Sequence, residues 1–533
     1  MTETDDFARS HLPAPASMPD LIFTLPELQY PVRLNCITRL LDHWVSQGRG
    51  DQPCLIGATT QWSYAETQAK VNRIANVLVR HCGVRPGQRV LLRAPNGPMM
   101  AACILAVIKA GGIAVPTMPM LRARELTYPM EKARIALALC DIRLRDELEA
   151  TRMLSPALGR VLYFGDAAPD GLDAAMDAAS DRFDAIDTAA DDVCLIGFTS
   201  GTTGVPKGSM HFHRDLLAAC DAYAGNVLRP IASDRFIGSP PLAFTFGLGG
   251  LLLFPLHVGA AAILLERAGP DELLHAIPHF GATVCISAPT AYRVMLGKCA
   301  QHDLSSLRKC VSAGETLPRA TFEAWQAATG LRMLDGIGST EMFHIFIASG
   351  EEDARAGATG KPVPGYEAKI VDGDGLPAPD GTPGRLAVRG PTGCKYLDDP
   401  RQANYVQNGW NLTGDTYIRD ADGYFRFQAR SDDMIVSAGY NIAGPEVEAA
   451  LLLHPAVAEC AVVAWPDADR GMLVKAFIVL AGNHEGSAAL TTELQNFVKA
   501  TIAPYKYPRA VEYVADLPKT ATGKLQRFRL RDG

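Results

Sequence analysis

Between Arg89 and Ala328 the chain alternates between two patterns that together leave few folds open. Short apolar runs at 89–93, 113–116, 135–140, 161–164 and 193–198, and near Phe236, Ala261, Val284 and Cys310, read as buried strands. Residues 97–109, 271–278, 289–296 and 318–328 carry helical spacing. Strands separated by helices cannot close as hairpins, so they are expected to line up in parallel sheets covered on both faces. After about Gly357 the pattern changes. Asp372-Gly373-Asp374-Gly375 and Pro379-Asp380-Gly381-Thr382-Pro383-Gly384 separate short strands of a small all-β module. Near 430–433 it changes again, to a helix at 445–453, strands near Ala461 and Ala476, a helix at 494–501 and a strand at 511–514, which predict a compact α+β unit. At 533 residues the chain exceeds one hydrophobic core. The breaks predict an N-terminal domain over 1–431 and a C-terminal one over 432–533, with proline-rich residues 1–35 wrapped around the first.

The run at 193–198 feeds Thr199-Ser200-Gly201-Thr202-Thr203-Gly204-Val205-Pro206-Lys207-Gly208, and a segment with helical spacing follows from His211 to Leu228. Glycine lets successive N–H groups converge on an anion, and hydroxyls and a lysine add donors. The expectation is a strand–loop–helix unit that holds phosphate. It is not the P-loop, because Lys207 follows Pro206 and Gly208 stands where a Ser or Thr would meet magnesium. A flexible surface turn, the bland alternative, leaves this density of donors unexplained.

Four further places bear on the same chemistry. In Asp335-Gly336-Ile337-Gly338-Ser339-Thr340-Glu341, two glycines let a flat ligand approach the backbone, and a carboxylate beside a hydroxyl suits a magnesium ion. Thr413-Gly414-Asp415 alone reads as a turn. Ala429-Arg430-Ser431-Asp432-Asp433 alone reads as a charged linker, and Pro518-Lys519-Thr520-Ala521-Thr522-Gly523-Lys524 as a solvated tail. In this order and spacing, the five stretches resemble the motifs of the adenylate-forming superfamily of acyl-CoA synthetases, aryl-CoA ligases, luciferases and peptide-synthetase adenylation domains. The resemblance covers essentially the whole chain.

What it implies is specific. The fold would be α/β plus α+β: two parallel-rich αβαβα sheets with a small β-barrel-like module in the large domain, then a small mobile lid. ATP, magnesium and coenzyme A would be the cofactors. Thr199, Ser200, Gly201, Thr202, Thr203, Gly204 and Lys207 would hold the phosphates, Thr340 the α-phosphate and Glu341 the metal. Gly314, Glu315, Gly336 and Ile337 would line the nucleotide, with Asp415 on the ribose and Arg430 on ribose or phosphate. Lys524 would be the catalytic lysine, Asp432 the hinge, and Gly439 part of the pantetheine tunnel. Ile337 stands where the family pattern has a tyrosine, a departure shared by aryl-CoA ligases of the benzoate type.

Composition narrows the partners. The formal net charge is -7 with no Lys/Arg run, which disfavours nucleic acid. Twelve scattered cysteines without a Cys-x-x-Cys pair read as small buried hydrophobes in a reducing compartment. The acidic N-terminus lacks a signal-peptide core. From Arg235 to Glu266 no residue between them is Asp, Glu, Lys or Arg, but prolines and glycines divide the run into a buried helix (247–256) and a buried strand (260–265), not a membrane span. The expected place is the cytoplasm, and a homodimer is the default expectation for assembly.

The acyl pocket is expected to be lined by Ala243, Phe244, Ala313, Gly314, Ile337, Gly338 and His344. Phe244 and Phe246 offer aromatic faces for a flat ring, or serve as plain core. No Asp stands in the Pro241–Gly247 segment to hold an α-ammonium group. His344 is expected to donate to the acid or a ring substituent, or to be a satisfied structural histidine. Residues 336–344 resemble benzoate–CoA ligases, and residues 25–35 resemble ligases for 2-aminobenzoate. The expected acid is therefore 2-aminobenzoate, then salicylate or benzoate. An aryl-acid adenylase that loads a carrier protein and a non-catalytic nucleotide-binding regulator are the alternatives. Retention of Glu341, Asp415, Arg430 and Lys524 together argues against the regulator.

Overall fold

The computed structural model describes residues 4–199, 205–430, 434–437, 440–467, 471–482, 484–502, 504–519 and 525–531. Among these the strands form five sheets, two of them large and mostly parallel. In one, Met333–Gly338, Lys309–Ala313, Val284–Ser287, Arg235–Gly238, Ala261–Ile263 and Pro53–Ile56 run parallel side by side, with antiparallel strands added at both edges. In the other, Arg160–Phe164, Leu137–Asp141, Arg89–Arg93, Ile113–Thr117 and Val193–Thr199 are parallel. Their central strands are buried on both faces, which is why they read as continuous apolar runs.

The helix Pro98–Lys109 is apolar all round because it lies inside the main core, with every residue from Met100 onward buried. Its one charge, Lys109, donates to Asp42 Oδ1 and Asn72 Oδ1, each at 2.7 Å. The helix Tyr64–Asn76 starts at a capping box in which Ser63 and Glu66 satisfy each other's backbone N–H. The charge-free run contains helical turns from Thr245 to Val258 and the strand Ala261–Ile263, most of whose residues are buried in core clusters. No helix among the described residues is long and apolar enough to cross a membrane. All twelve cysteines are free, and ten are buried.

The all-β module is a five-stranded antiparallel sheet built on Trp410–Arg419, and residues near Asp20 and Ile22 bond to its Gly409 and Gly390 carbonyls. Beyond it, the strands Val457–Asp467, Gly471–Leu480 and Ala510–Tyr513 pack with the helices Gly444–Leu451 and Ala488–Thr501 around a separate core that includes Val447, Leu451, Val462, Ile478 and Leu494.

One expectation fails in a way that matters for the site. The donor-rich loop does not lead into a helix. Lys207–Phe212 is a sixth strand of the second sheet, antiparallel to Val193–Thr199, and the helix begins only at His213. Both strands are nearly fully covered, so Ser209 and His211 are buried polar residues within a strand. The loop therefore connects two antiparallel strands, and no helix N-terminus follows it directly.

Candidate active site

That hairpin, the edge of the nine-stranded sheet and the five-stranded module converge on Glu341. Thr199 and Lys207 face each other across the hairpin. Thr199 Oγ1 is buried with no hydrogen-bond partner among the described residues, a hydroxyl left available to a ligand. Lys207 Nζ lies 3.6 Å from Glu341 Oε1 and 4.9 Å from the centre of the Tyr396 ring. The Tyr396 hydroxyl donates to the same Oε1 at 2.5 Å. Burial first, and then the Glu341 carboxylate, push the Tyr396 phenol far above its ordinary range, so it stays protonated and a donor. No hydrogen bond to Glu341 Oε2 is found among the described residues. A carboxylate oxygen is a hard ligand, and Glu341, with Oε2 unengaged among those residues, is a donor of the kind a magnesium ion takes.

A tight turn sets the direction of these side chains. Phe343 N donates to Thr340 O at 3.1 Å and Met342 N to Ser339 Oγ at 3.2 Å. Phe343 itself sits at φ 69, a conformation a large residue rarely adopts. A Cβ on Gly197 would come within 3.0 Å of Thr340 Cγ2, so a bare backbone lets this turn lie against the hairpin. Gly336 and Gly338 have a structural reason that sequence did not suggest. A Cβ there would stand 2.9 Å from Ile345 Cγ2 or 2.7 Å from the His344 carbonyl carbon, so close packing of the returning strand demands them.

Asp415 and Arg430 are opposite one another on neighbouring strands, and Arg430 Nη1 donates to Asp415 Oδ1 at 3.0 Å. The Thr413-Gly414-Asp415 run is therefore no turn; it lies inside a strand, kinked where Gly414 takes φ 76. Burial raises the Asp415 pKa, and the guanidinium opposes that shift. Ala313 and Gly336 are in register on adjacent parallel strands. Gly314 follows at φ 89, and Glu315 Oε2 is committed to Thr290, accepting from its N and Oγ1 at 3.1 and 2.7 Å. Ser200, Gly201, Thr202, Thr203, Gly204, Asp432, Gly439 and Lys524 lie outside the described residues.

His344 is buried, packed against Tyr223 (5.8 Å, stacked), Phe246 (5.6 Å) and Phe254 (4.5 Å). Burial pushes its pKa down to about 3, so the ring is neutral. Nε2 lies 3.2 Å from the Phe246 carbonyl oxygen, which accepts only. Nε2 therefore carries the proton, and Nδ1 is a lone-pair acceptor, buried with no partner among the described residues. The donor expected from the sequence is already spent on Phe246. Ala243 is buried, and half-buried Phe244 precedes the helix Thr245–Leu248 that carries Phe246.

Tyr396 and Tyr405 were not found from sequence. Tyr405 OH lies 3.3 Å from Ser339 Oγ, and burial raises its pKa well above the ordinary value. The partners of both tyrosines are more than fifty residues away, 55 for Tyr396 and 66 for Tyr405, and no local spacing marks either.

Comparison with known proteins adds a second line. Residues 41–395 match the family model for AMP-binding enzymes, and residues 446–524 that for the AMP-binding enzyme C-terminal domain. The chain is 37% identical over 521 residues to a benzoate–CoA ligase of Thauera aromatica, across 97% of this chain and 99% of that protein. Among solved structures, an anthranilate CoA ligase, AuaEII, in complex with anthranoyl-AMP superposes with a TM-score of 0.91 at 36% identity, covering 95% of this chain and 98% of that one. A benzoate CoA ligase from Burkholderia xenovorans LB400 gives 0.85 at 33% identity, covering 93% and 100%.

Proposed function

The chain belongs to the AMP-binding enzyme family, and from that premise we propose that it joins 2-aminobenzoate to coenzyme A at the expense of ATP. It is an AMP-forming acid–thiol ligase of the aryl-CoA type. A carboxylate is a poor acyl donor because its leaving group is oxide. Attack of the carboxylate on the α-phosphate of ATP gives aryl-AMP and pyrophosphate, and attack of the CoA thiol then gives aryl-CoA and AMP.

The first step brings two anions together. Lys207 and the hydroxyls of Thr199, Ser200, Thr202 and Thr203 hold the β- and γ-phosphates and stabilise the departing pyrophosphate. Thr340 meets the α-phosphate, and Glu341 holds the magnesium ion, which offsets phosphate charge when bound. Lys524 bridges the attacking carboxylate and the α-phosphate; one well-placed donor of this kind is worth on the order of 3 kcal/mol. Asp415 accepts from the ribose hydroxyls while Arg430 keeps its carboxylate in place. Rotation of residues 432–533 about Asp432 then exchanges Lys524 for the thiol tunnel at Gly439.

The choice of acid rests on one observation, the Nδ1 of neutral His344, which has no partner among the described residues. A buried acceptor calls for a donor, and the ortho amino group of 2-aminobenzoate is one, whereas benzoate has none. Salicylate, with a hydroxyl donor, is the next acid. Leaving the amino group buried without an acceptor costs about 1–3 kcal/mol, roughly fivefold to a hundredfold in rate. The test compares kcat/KM for 2-aminobenzoate and benzoate in the parent and in His344→Phe. A parent preference that collapses towards parity in the variant is expected. An unchanged ratio would overturn the choice of acid while leaving the ligase reading intact.

A further inference from the structure

The geometry points to Tyr396 as a positioning residue for the cation-binding carboxylate, a role that rests on the reading of Glu341 as the group that holds magnesium with ATP. Before nucleotide arrives, Lys207 and Glu341 face each other at 3.6 Å and share their charges. That pairing must end when Lys207 turns to phosphate. Glu341 would then be a buried carboxylate free to rotate, and its entropy would oppose metal binding. Tyr396 removes that freedom. Its hydroxyl holds Oε1 at 2.5 Å, and no partner takes Oε2 among the described residues, so one oxygen is fixed and the other is presented.

The tyrosine is itself held on several sides. Its own segment pairs with the hairpin: Met210 N donates to Lys395 O at 2.7 Å, Leu397 N to Gly208 O at 2.8 Å, and Ser209 bridges Tyr396. Tyr396 N donates to Gln402 Oε1 at 2.9 Å. The neighbouring Lys395, fully buried, pairs with Asp215 at 2.9 Å and donates to Gly393 O at 2.9 Å. The same hairpin therefore carries Lys207 on one strand position and anchors Tyr396 two residues on. Lys207 and the anchor of Glu341 are set by one element.

Tyr396→Phe keeps the ring under Lys207 and deletes only the bond to Glu341. The measurement is equilibrium binding of ATP as a function of magnesium concentration, with the thermal midpoint recorded alongside. The expected result is a rise of about tenfold to a hundredfold in the magnesium concentration needed for half-maximal tightening, the range set by a hydrogen bond to a charged group, with metal-free ATP affinity unchanged. Tyr366→Phe is the comparison for a purely structural hydroxyl, since Tyr366 bonds Thr392 at 2.8 Å in the same buried region; it should move the thermal midpoint only. Glu341→Gln separates the two levels of the argument. If it shifts the magnesium dependence and Tyr396→Phe does not, the role of Tyr396 is overturned. If neither shifts it, the cation reading of Glu341 falls first.

Discussion

Gly249→Ala makes a demanding test of the His344 arrangement, because it places one methyl group against one ring. Gly249 has helical dihedrals, φ -63 and ψ -57, so the backbone accepts alanine. On propensity alone the change would stabilise by about 1 kcal/mol. Space decides otherwise. The added Cβ would stand 2.4 Å from His344 Cδ2 and 2.9 Å from Nε2, against an optimal carbon–carbon separation of roughly 3.5–4.0 Å. The ring must move by about 1 Å, and the 3.2 Å contact of Nε2 with Phe246 O lengthens past hydrogen-bonding range. Overpacking costs about 1–3 kcal/mol and the lost bond about 1 kcal/mol, so net destabilisation of about 1–3 kcal/mol is expected after the propensity gain. Differential scanning fluorimetry should register a fall of a few degrees. Initial rates should show a larger loss of kcat/KM on 2-aminobenzoate than on benzoate, since in the proposed function only the former uses Nδ1. A variant with an unaltered midpoint and an unaltered ratio of the two acids would refute both the packing and the specificity argument.

Three further outcomes follow from the same account. Lys524→Ala should lose formation of aryl-AMP by a hundredfold or more yet still convert supplied aryl-AMP and CoA to thioester, read by chromatography of the two half-reactions. Asp432→Pro should slow the thioester half-reaction more than adenylation in stopped-flow measurements; equal loss in both speaks against a hinge. Stability should also fall on acidification. Burial holds His211 and His344 at about 3, below their ordinary 6.5, so each contributes stability that is full above pH 6.5 and is lost as pH falls towards 3. At pH 5 each has given up about 2 kcal/mol, and His344→Phe should show a correspondingly smaller drop in unfolding midpoint between pH 7 and pH 5 than the parent.

Much of the fold was legible because buried parallel strands leave an unmistakable trace. Arg89–Arg93 and Pro289–Leu296 begin and end where apolar period and proline place them. The hairpin strand Lys207–Phe212 was not legible: Ser209 and His211 are polar yet buried, and the residues after His211 do carry helical spacing. A buried polar strand imitates the start of an amphipathic helix, and only its partner strand reveals it. At the site, Glu341, Thr340, Asp415 and Lys207 stood out because their motifs are local. Tyr396 did not, since its meaning depends on a carboxylate that only folding brings near. The protonation pattern of His344 was equally hidden, because it is fixed by one backbone carbonyl, that of Phe246.

The central claim is that this chain activates an aromatic acid as its adenylate and hands it to coenzyme A. Its most direct test is a single set of incubations with ATP and magnesium, with and without CoA, on 2-aminobenzoate, salicylate, benzoate, a medium-chain fatty acid and an α-amino acid, with AMP and thioester measured by mass. The account predicts AMP and an equal amount of aryl-CoA only when CoA is present, greatest with 2-aminobenzoate. Turnover of the fatty acid or amino acid ahead of every benzoate, or AMP release without thioester when CoA is supplied, would contradict it.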